Sequence, residues 1–119
     1  MARDAPSIDA FGGGGFRLSG EWHAGSLLIL ADDAQPWGVA SLDALTVESL
    51  APVFAAGRAE VEFLLLGVGA RNAQPARAVR EALLAAGLGL EFMDTPAAAR
   101  LYNVLTSEGR RLAAALIAV

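Results

Sequence analysis

Cysteine and lysine are absent from this 119-residue chain, histidine occurs once, and only 18% of the residues are charged. The missing cysteines remove disulfides, thiolate nucleophiles and zinc–thiolate sites together, while leaving the redox compartment open. Without lysine there is no GxxxxGK phosphate loop. With His23 the sole histidine, serine–histidine and multi-histidine metal arrangements shrink to one residue. It stands between Trp22 and a turn, where a partly exposed strand histidine is a simpler account than a catalytic base. Long apolar runs are also missing, since none approaches the roughly 18 residues needed to cross a bilayer. The start, MARDAPSIDAFGGGG, has no apolar signal-peptide core. No direct membrane insertion and a cytoplasmic location are therefore expected.

Positive charge is scarce too. A net charge of −4 and a pI near 4.8 argue against a nucleic-acid binder, because phosphate neutralisation needs clustered cations and the only arginine doublet is Arg110-Arg111. The nine basic residues are all arginine and alanine is abundant, a composition bias that points to a bacterial genome.

What is present is apolar: 55% of the chain, enough for a sizeable core and unlike a disordered chain. The length fits one domain over residues 1–119, with 1–7 a flexible N-terminus. IDAF and FRLSG flank the glycine run Gly12 to Gly15, and EWHAGSLLIL carries a turn at Ala24-Gly25, which reads as short antiparallel strands. Phe16 and Leu18 alternate with Arg17 and Ser19 as in a strand with one wet face. The four glycines suggest a loose hairpin loop rather than a functional flap.

From residue 45 helices and strands alternate. LTVESLAPVFAAG places Val47, Leu50 and Phe54 at helical spacing, with Thr46 as cap and Gly57 as stop. Pro52 means that this helix either starts late or bends. VEFLLLG reads as a strand covered on both faces. Pro75 suits the first position of a helix whose buried stripe is Val79, Leu83 and Ala86, ended by Gly87. LGLEFM is the next strand. Thr95-Pro96 supplies a cap and first turn for PAAARLYNVLTSEG, with Leu101 and Leu105 inward. RLAAALIAV closes the sheet from inside. Strand, helix, strand implies parallel pairs joined by right-handed crossovers. The expected fold is α/β, three-layer α/β/α, with a mixed central sheet plus an added β-hairpin.

The stretch LGVGARNAQP invites comparison with a nucleotide-binding turn. A dinucleotide fingerprint needs three glycines, and here the spacing gives Gly67, Gly69 and then Asn72. The acidic residue after the next strand, Asp94, is equally explained by favourable charge at a helix N-terminus. A tight turn is the better reading, possibly the floor of a cleft, because ligand crevices in open α/β sheets lie at the carboxyl ends of strands. No cofactor is expected. The carboxylate pairs Asp32-Asp33 and Glu60/Glu62 lack the oxygen ligands that a calcium loop assembles and read as solvated surface, with no metal site.

Polar residues look least arbitrary in ARLYNVLTSEGR, where Tyr102 and Asn103 sit mid-helix among apolar neighbours although asparagine favours caps and turns. Asn103 would either hydrogen-bond a loop such as Gly67 to Gly69 or present its amide to a cleft; the internal bond is the simpler account. Gly67, Gly69, Asn72, Tyr102 and Asn103 are the candidate cleft residues.

FGGGGFRLSGEWHAGSLLI, the Pro36-Trp37 pair, the strand ending in LGVG and above all ARLYNVLTSEGRRLAAALI resemble a small domain family, largely uncharacterised in bacteria and archaea, that includes a mitochondrial respiratory complex I assembly factor. The resemblance runs from Ile8 to Ile117. It implies the same three-layer fold, no established enzymatic activity or cofactor, and a protein partner. Leu101 stands where the family commonly has threonine, and Val68 where it has the middle threonine of a Gly-Thr-Gly turn, which weakens the case for polar chemistry there. Two functions are carried forward. One is a noncatalytic interaction or assembly module, linked by the resemblance to membrane-complex assembly, with an exposed Trp22 or Trp37 as anchor. The other is a small-ligand or nucleotide-binding α/β protein, possibly an enzyme, with its pocket above Gly67 to Gly69.

Overall fold

A computed structural model describes residues 5–119. Of the segment 1–7 expected to be loose, residues 1–4 lie outside the described residues, and Ser7 is tied down: its carbonyl accepts from Ser19 N at 2.9 Å and its hydroxyl donates to Asp9 Oδ1 at 2.9 Å.

Three strands, β1 (Ile8–Gly12), β2 (Gly15–Leu18) and β3 (Glu21–Ala24), form an antiparallel sheet in that order, so the added hairpin is a three-stranded sheet. The glycine run is not a loose loop. Gly13 and Gly14 alone make the turn, with φ of 63° and 86°, the left-handed pair that a two-residue hairpin requires. Phe16 and Leu18 are buried and Arg17 is exposed, following the predicted alternation.

β4 (Ser26–Leu30) and β5 (Asp33–Trp37) pair antiparallel through a turn at Ala31 and Asp32, both left-handed. β5, DAQPW, is polar and contains Pro36, and no strand is expected there from the sequence pattern. Proline is tolerated here because β5 is a sheet edge. Two 3₁₀ turns, Leu42–Ala44 and Glu48–Leu50, lead into α1 (Ala51–Ala56). Pro52 falls in its first turn, so the helix starts late rather than bends. Thr46 does not cap it; Thr46 and Ser49 exchange hydrogen bonds across the preceding 3₁₀ turn, each backbone N–H donating to the other's hydroxyl at 3.1 Å.

The remaining elements are β6 (Phe63–Gly67), α2 (Arg77–Ala85), β7 (Gly89–Met93), α3 (Thr95–Ser107) and β8 (Leu112–Leu116). Pro75 stops short of α2, which begins at Arg77 after an Ala76 cap. The larger sheet has the order β5-β4-β8-β6-β7, parallel across β8-β6-β7 and antiparallel across β5-β4-β8. All five residues of both β6 and β8 are buried, as continuous apolar runs flanked by strands on either side should be.

Strand alternation divides the core in two. Leu64, Leu66, Ala113 and Ala115 face Val53 of α1 and Val79 and Leu83 of α2. Phe63, Leu65, Ala114 and Leu116 face Ala98, Ala99 and Tyr102 of α3, with Phe16 and Leu18 of the small sheet closing that side. Truncating a buried leucine such as Leu65 to alanine should therefore cost about 2–5 kcal/mol. On α3 the buried stripe is Thr95, Ala98, Ala99, Tyr102 and Thr106. Leu101 and Leu105, predicted inward, are only partly buried at the rim.

Candidate functional site

Chain direction places a topological switch at β6. The β6–α2–β7 crossover runs over one face of the sheet and β7–α3–β8 returns over the other, so the carboxyl ends of β6 and β8 are where an open α/β sheet would offer a crevice. In this chain the crevice is occupied by its own residues. Ile117 N donates to Gly67 O at 3.0 Å, continuing the β8 ladder past the strand. Thr95, fully buried at the start of α3, accepts from Gly69 N at 3.0 Å through Oγ1 and donates from the same hydroxyl to Ile117 O at 2.7 Å. Its backbone N–H donates to Gly69 O at 2.8 Å. One threonine thus holds the GVG turn, the start of α3 and the chain beyond β8 together.

Two further features argue against an anion there. The helix cap is Asp94, not Thr95 as the sequence suggested: Asp94 Oδ1 accepts from Ala97 N at 2.9 Å, so a carboxylate already sits at the N-terminus of α3. The helix after the GVG turn starts only at Arg77, beyond the loop carrying Asn72 and Pro75, whereas a dinucleotide turn feeds its helix at once. The two glycines serve packing and conformation. A Cβ on Gly67 would come within 2.9 Å of Thr95 Oγ1 and 3.1 Å of Thr95 Cα, and Gly69 has φ of 112°.

The predicted cleft residues do not converge. Gly67 and Gly69 meet at Thr95, and Asn72 is exposed on the following loop. Tyr102 is 1% exposed within the core facing α3. Asn103 makes the internal bond that was expected, but to β1 and not to the GVG turn. Its Oδ1 accepts from Ile8 N and its Nδ2 donates to Ile8 O, both at 2.8 Å. The tryptophans also separate. Trp22 is 48% exposed on β3, its ring over Gly15. Trp37 is 8% exposed and cannot be an exposed anchor, because its indole N–H donates to Ser49 O at 2.8 Å and its ring packs in the core facing α1 and α2. His23 lies half-buried in β3. Among the described residues no group of histidine, aspartate and glutamate is placed to hold a metal.

Concavities open elsewhere. One of about 490 Å³ lies between β7 and α3, lined by Phe63, Glu91, Leu101, Leu105 and the Glu62–Arg110 ion pair, which closes at 3.0 Å. Another of about 410 Å³ lies between β7 and α2, lined by Arg80, Leu83, Leu84, Leu90 and Phe92.

Residues 8–117 match the model of a family described as a protein of unknown function, DUF498/DUF598. The chain belongs to this family. A Rhodobacter capsulatus relative, described as an uncharacterised protein, is 45% identical over 92% of this chain and 82% of its own length. Family relatives in zebrafish and human are named NADH dehydrogenase [ubiquinone] 1 alpha subcomplex assembly factor 3. The zebrafish protein is 38% identical over 87% of this chain and 59% of its own length. The human protein is 31% identical over 98% of this chain and 62% of its own length, so the chain spans about three-fifths of these assembly factors. Among solved structures, a Bartonella henselae protein described as an outer membrane protein superposes with a TM-score of 0.90 at 30% identity, covering 100% of this chain and 99% of that one. A Rhodopseudomonas palustris protein does so with a TM-score of 0.82 at 42% identity over 95% of this chain and 83% of its own. The three-layer fold and the resemblance read from the sequence both stand. No helix among the described residues is long and apolar enough to cross a membrane.

Proposed function

We propose that this chain is a noncatalytic interaction module acting in the assembly of a membrane-bound NADH dehydrogenase, from the cytoplasm, with another protein as partner and no cofactor. The observation that carries this is the filled switch point. Where an α/β enzyme would bind its ligand, Thr95 and Ile117 bond to Gly67 and Gly69, and a ligand would have to displace those bonds and meet the Asp94 carboxylate. The assembly-factor relatives support the direction of the reading. Apolar side chains left at the surface support it too: Trp22, Leu84 and Val104 are 48%, 78% and 52% exposed. They lie on three different elements, β3, α2 and α3, and of them tryptophan is the residue type enriched at interface hot spots.

The test is complementation. A Rhodobacter capsulatus strain lacking the 45%-identical relative is expected to contain less assembled NADH dehydrogenase on native gels and to recover it when this chain is expressed. A deletion strain with a full complement of assembled enzyme would refute the proposal.

A further inference from the structure

The interaction-module reading leaves open which surface receives the partner, and β7 supplies an answer. It is the last strand of the larger sheet and bonds only to β6. Gly89 N donates to Glu62 O at 3.2 Å and Met93 O accepts from Val68 N at 2.9 Å, so Gly89, Glu91 and Met93 turn their backbone groups toward β6. By strand alternation the N–H and C=O groups of Leu90 and Phe92 then point outward from the sheet. Both concavities described above flank this edge, one on each face of the sheet. Edges of this kind are ordinarily blunted by proline, charge or a covering element. β5, at the other end, has Asp33 and Pro36; β7 has one charge, Glu91.

That charge also decides between occupants. In an antiparallel two-fold pairing of β7 with a second copy, the register that uses all four outward groups of each strand sets Glu91 directly against Glu91, which is destabilising. Centring the pairing on Leu90 enlists Leu88, whose N–H already donates to Leu83 O at 3.0 Å. Centring it on Phe92 enlists Asp94, whose carbonyl already accepts from Ala98 N at 3.0 Å. Among the described residues Glu62 is matched by Arg110, whereas Glu91 forms no ion pair.

We infer that β7 is a docking edge for an extended segment of a different protein. The segment adds a further strand, sets a lysine or arginine opposite Glu91, and lays apolar residues against Leu90 and Phe92 on one face and Leu101 and Leu105 on the other. Main-chain bonds to Leu90 and Phe92 supply affinity, and the alternating side chains supply selection. This rests on the interaction-module reading and names the partner's chemistry.

The test titrates the full chain, by amide NMR, with a short capped peptide alternating valine and lysine, and separately with its valine–glutamate counterpart. The lysine peptide is expected to protect the Leu90 and Phe92 amides from hydrogen exchange. Glu91→Lys should weaken it by about five-fold or more, as an attractive cross-strand pair becomes repulsive, and should confer binding of the glutamate peptide. Leu90→Pro removes an N–H that no internal ladder uses. It should abolish binding while the chain still folds, with Tm lowered by the lost packing of the Leu90 side chain; if it unfolds the chain, the Glu91→Lys charge swap decides alone. Equal binding of both peptides, protection confined to another strand, or a dimer that protects Leu90 and Phe92 without peptide would overturn the inference. The titration needs no assembly phenotype, so its outcome is independent of the complementation result.

Discussion

Asn103→Ala isolates one polar contact on which the attachment of the small sheet to α3 depends. β1 is an edge strand of that sheet, and its pairing with β2 shifts register between Ile8 and Ala10. The Asn103 amide meets Ile8 as a neighbouring strand would, accepting from its N–H and donating to its C=O, each at 2.8 Å. Each bond contributes about 0.5–1.5 kcal/mol net, and removing one partner leaves the other to bear its own desolvation cost. Because Asn103 is only half-buried, water can reach part of what is exposed. The expected loss is about 1–3 kcal/mol. For a chain of this length the unfolding entropy is about 250 cal/mol/K, so a 2 kcal/mol loss lowers Tm by about 8 °C. Urea melts give the stability change, and hydrogen exchange at the Ile8 amide shows whether it arises at β1. Asn103→Asp supplies the control, since it keeps an acceptor for Ile8 N–H but sets a carboxylate oxygen against Ile8 O and should not rescue stability. An alanine variant that melts like the wild type, with Ile8 exchange unchanged, would refute this account and return Asn103 to the list of site residues.

Thr95→Val keeps the shape of the side chain but removes the hydroxyl from between Gly69 N and Ile117 O; a loss of about 1–3 kcal/mol in urea melts is expected, with Thr95→Ser close to wild type, and a valine variant of undiminished stability would contradict the latch. Gly67→Ala and Gly69→Val should each cost about 1–3 kcal/mol for different reasons, overpacking against Thr95 at residue 67 and a positive φ at residue 69, where the Cβ itself has open space; thermal melts check both. NAD, NADP, ATP and GTP at millimolar concentration should leave Tm unchanged. A ligand at 100 times its Kd would add about 2.7 kcal/mol, so a reproducible rise of several degrees would revive the nucleotide-binding alternative.

The elements with a strong apolar pattern were legible in the sequence and those held by tertiary context were not. VEFLLLG and RLAAALIAV read as buried strands because continuous apolar runs bounded by turns have few other uses, and β6 and β8 occupy the middle of the sheet. DAQPW gave no such signal; an edge strand with one side in water needs little apolar character, and only its antiparallel partner β4 reveals it. Asn103 was recognisable as a residue with an internal bond because asparagine is disfavoured mid-helix. Its partner was not, since Ile8 lies 95 residues away. Trp37 was misplaced because an indole that finds a backbone acceptor can be buried, and Ser49 O is such an acceptor. Thr95 was read as a cap although Asp94 precedes it. Two cap-forming residues in succession before a proline were the available signal: only one can cap, and with the Asp94 carboxylate in that place the Thr95 hydroxyl is free for a different contact.

That freed hydroxyl links the fold to the absence of an open crevice. A sheet whose crossovers switch faces leaves a gap at its carboxyl edge because the two helices diverge there, and the gap persists only if nothing else needs the space. Here the chain continues past β8 along Gly67, and the close approach is possible because residue 67 has no side chain to meet Thr95. Buried polar groups must find partners, so once Ile117 O and Gly69 N are brought together under α3, a hydroxyl between them is the smallest group that can serve both. The glycines that resemble a phosphate cradle are therefore explained by internal closure. In the assembly role we propose, the partner is met on surfaces that the closure does not consume, and among these β7 combines outward backbone groups with a groove on each face.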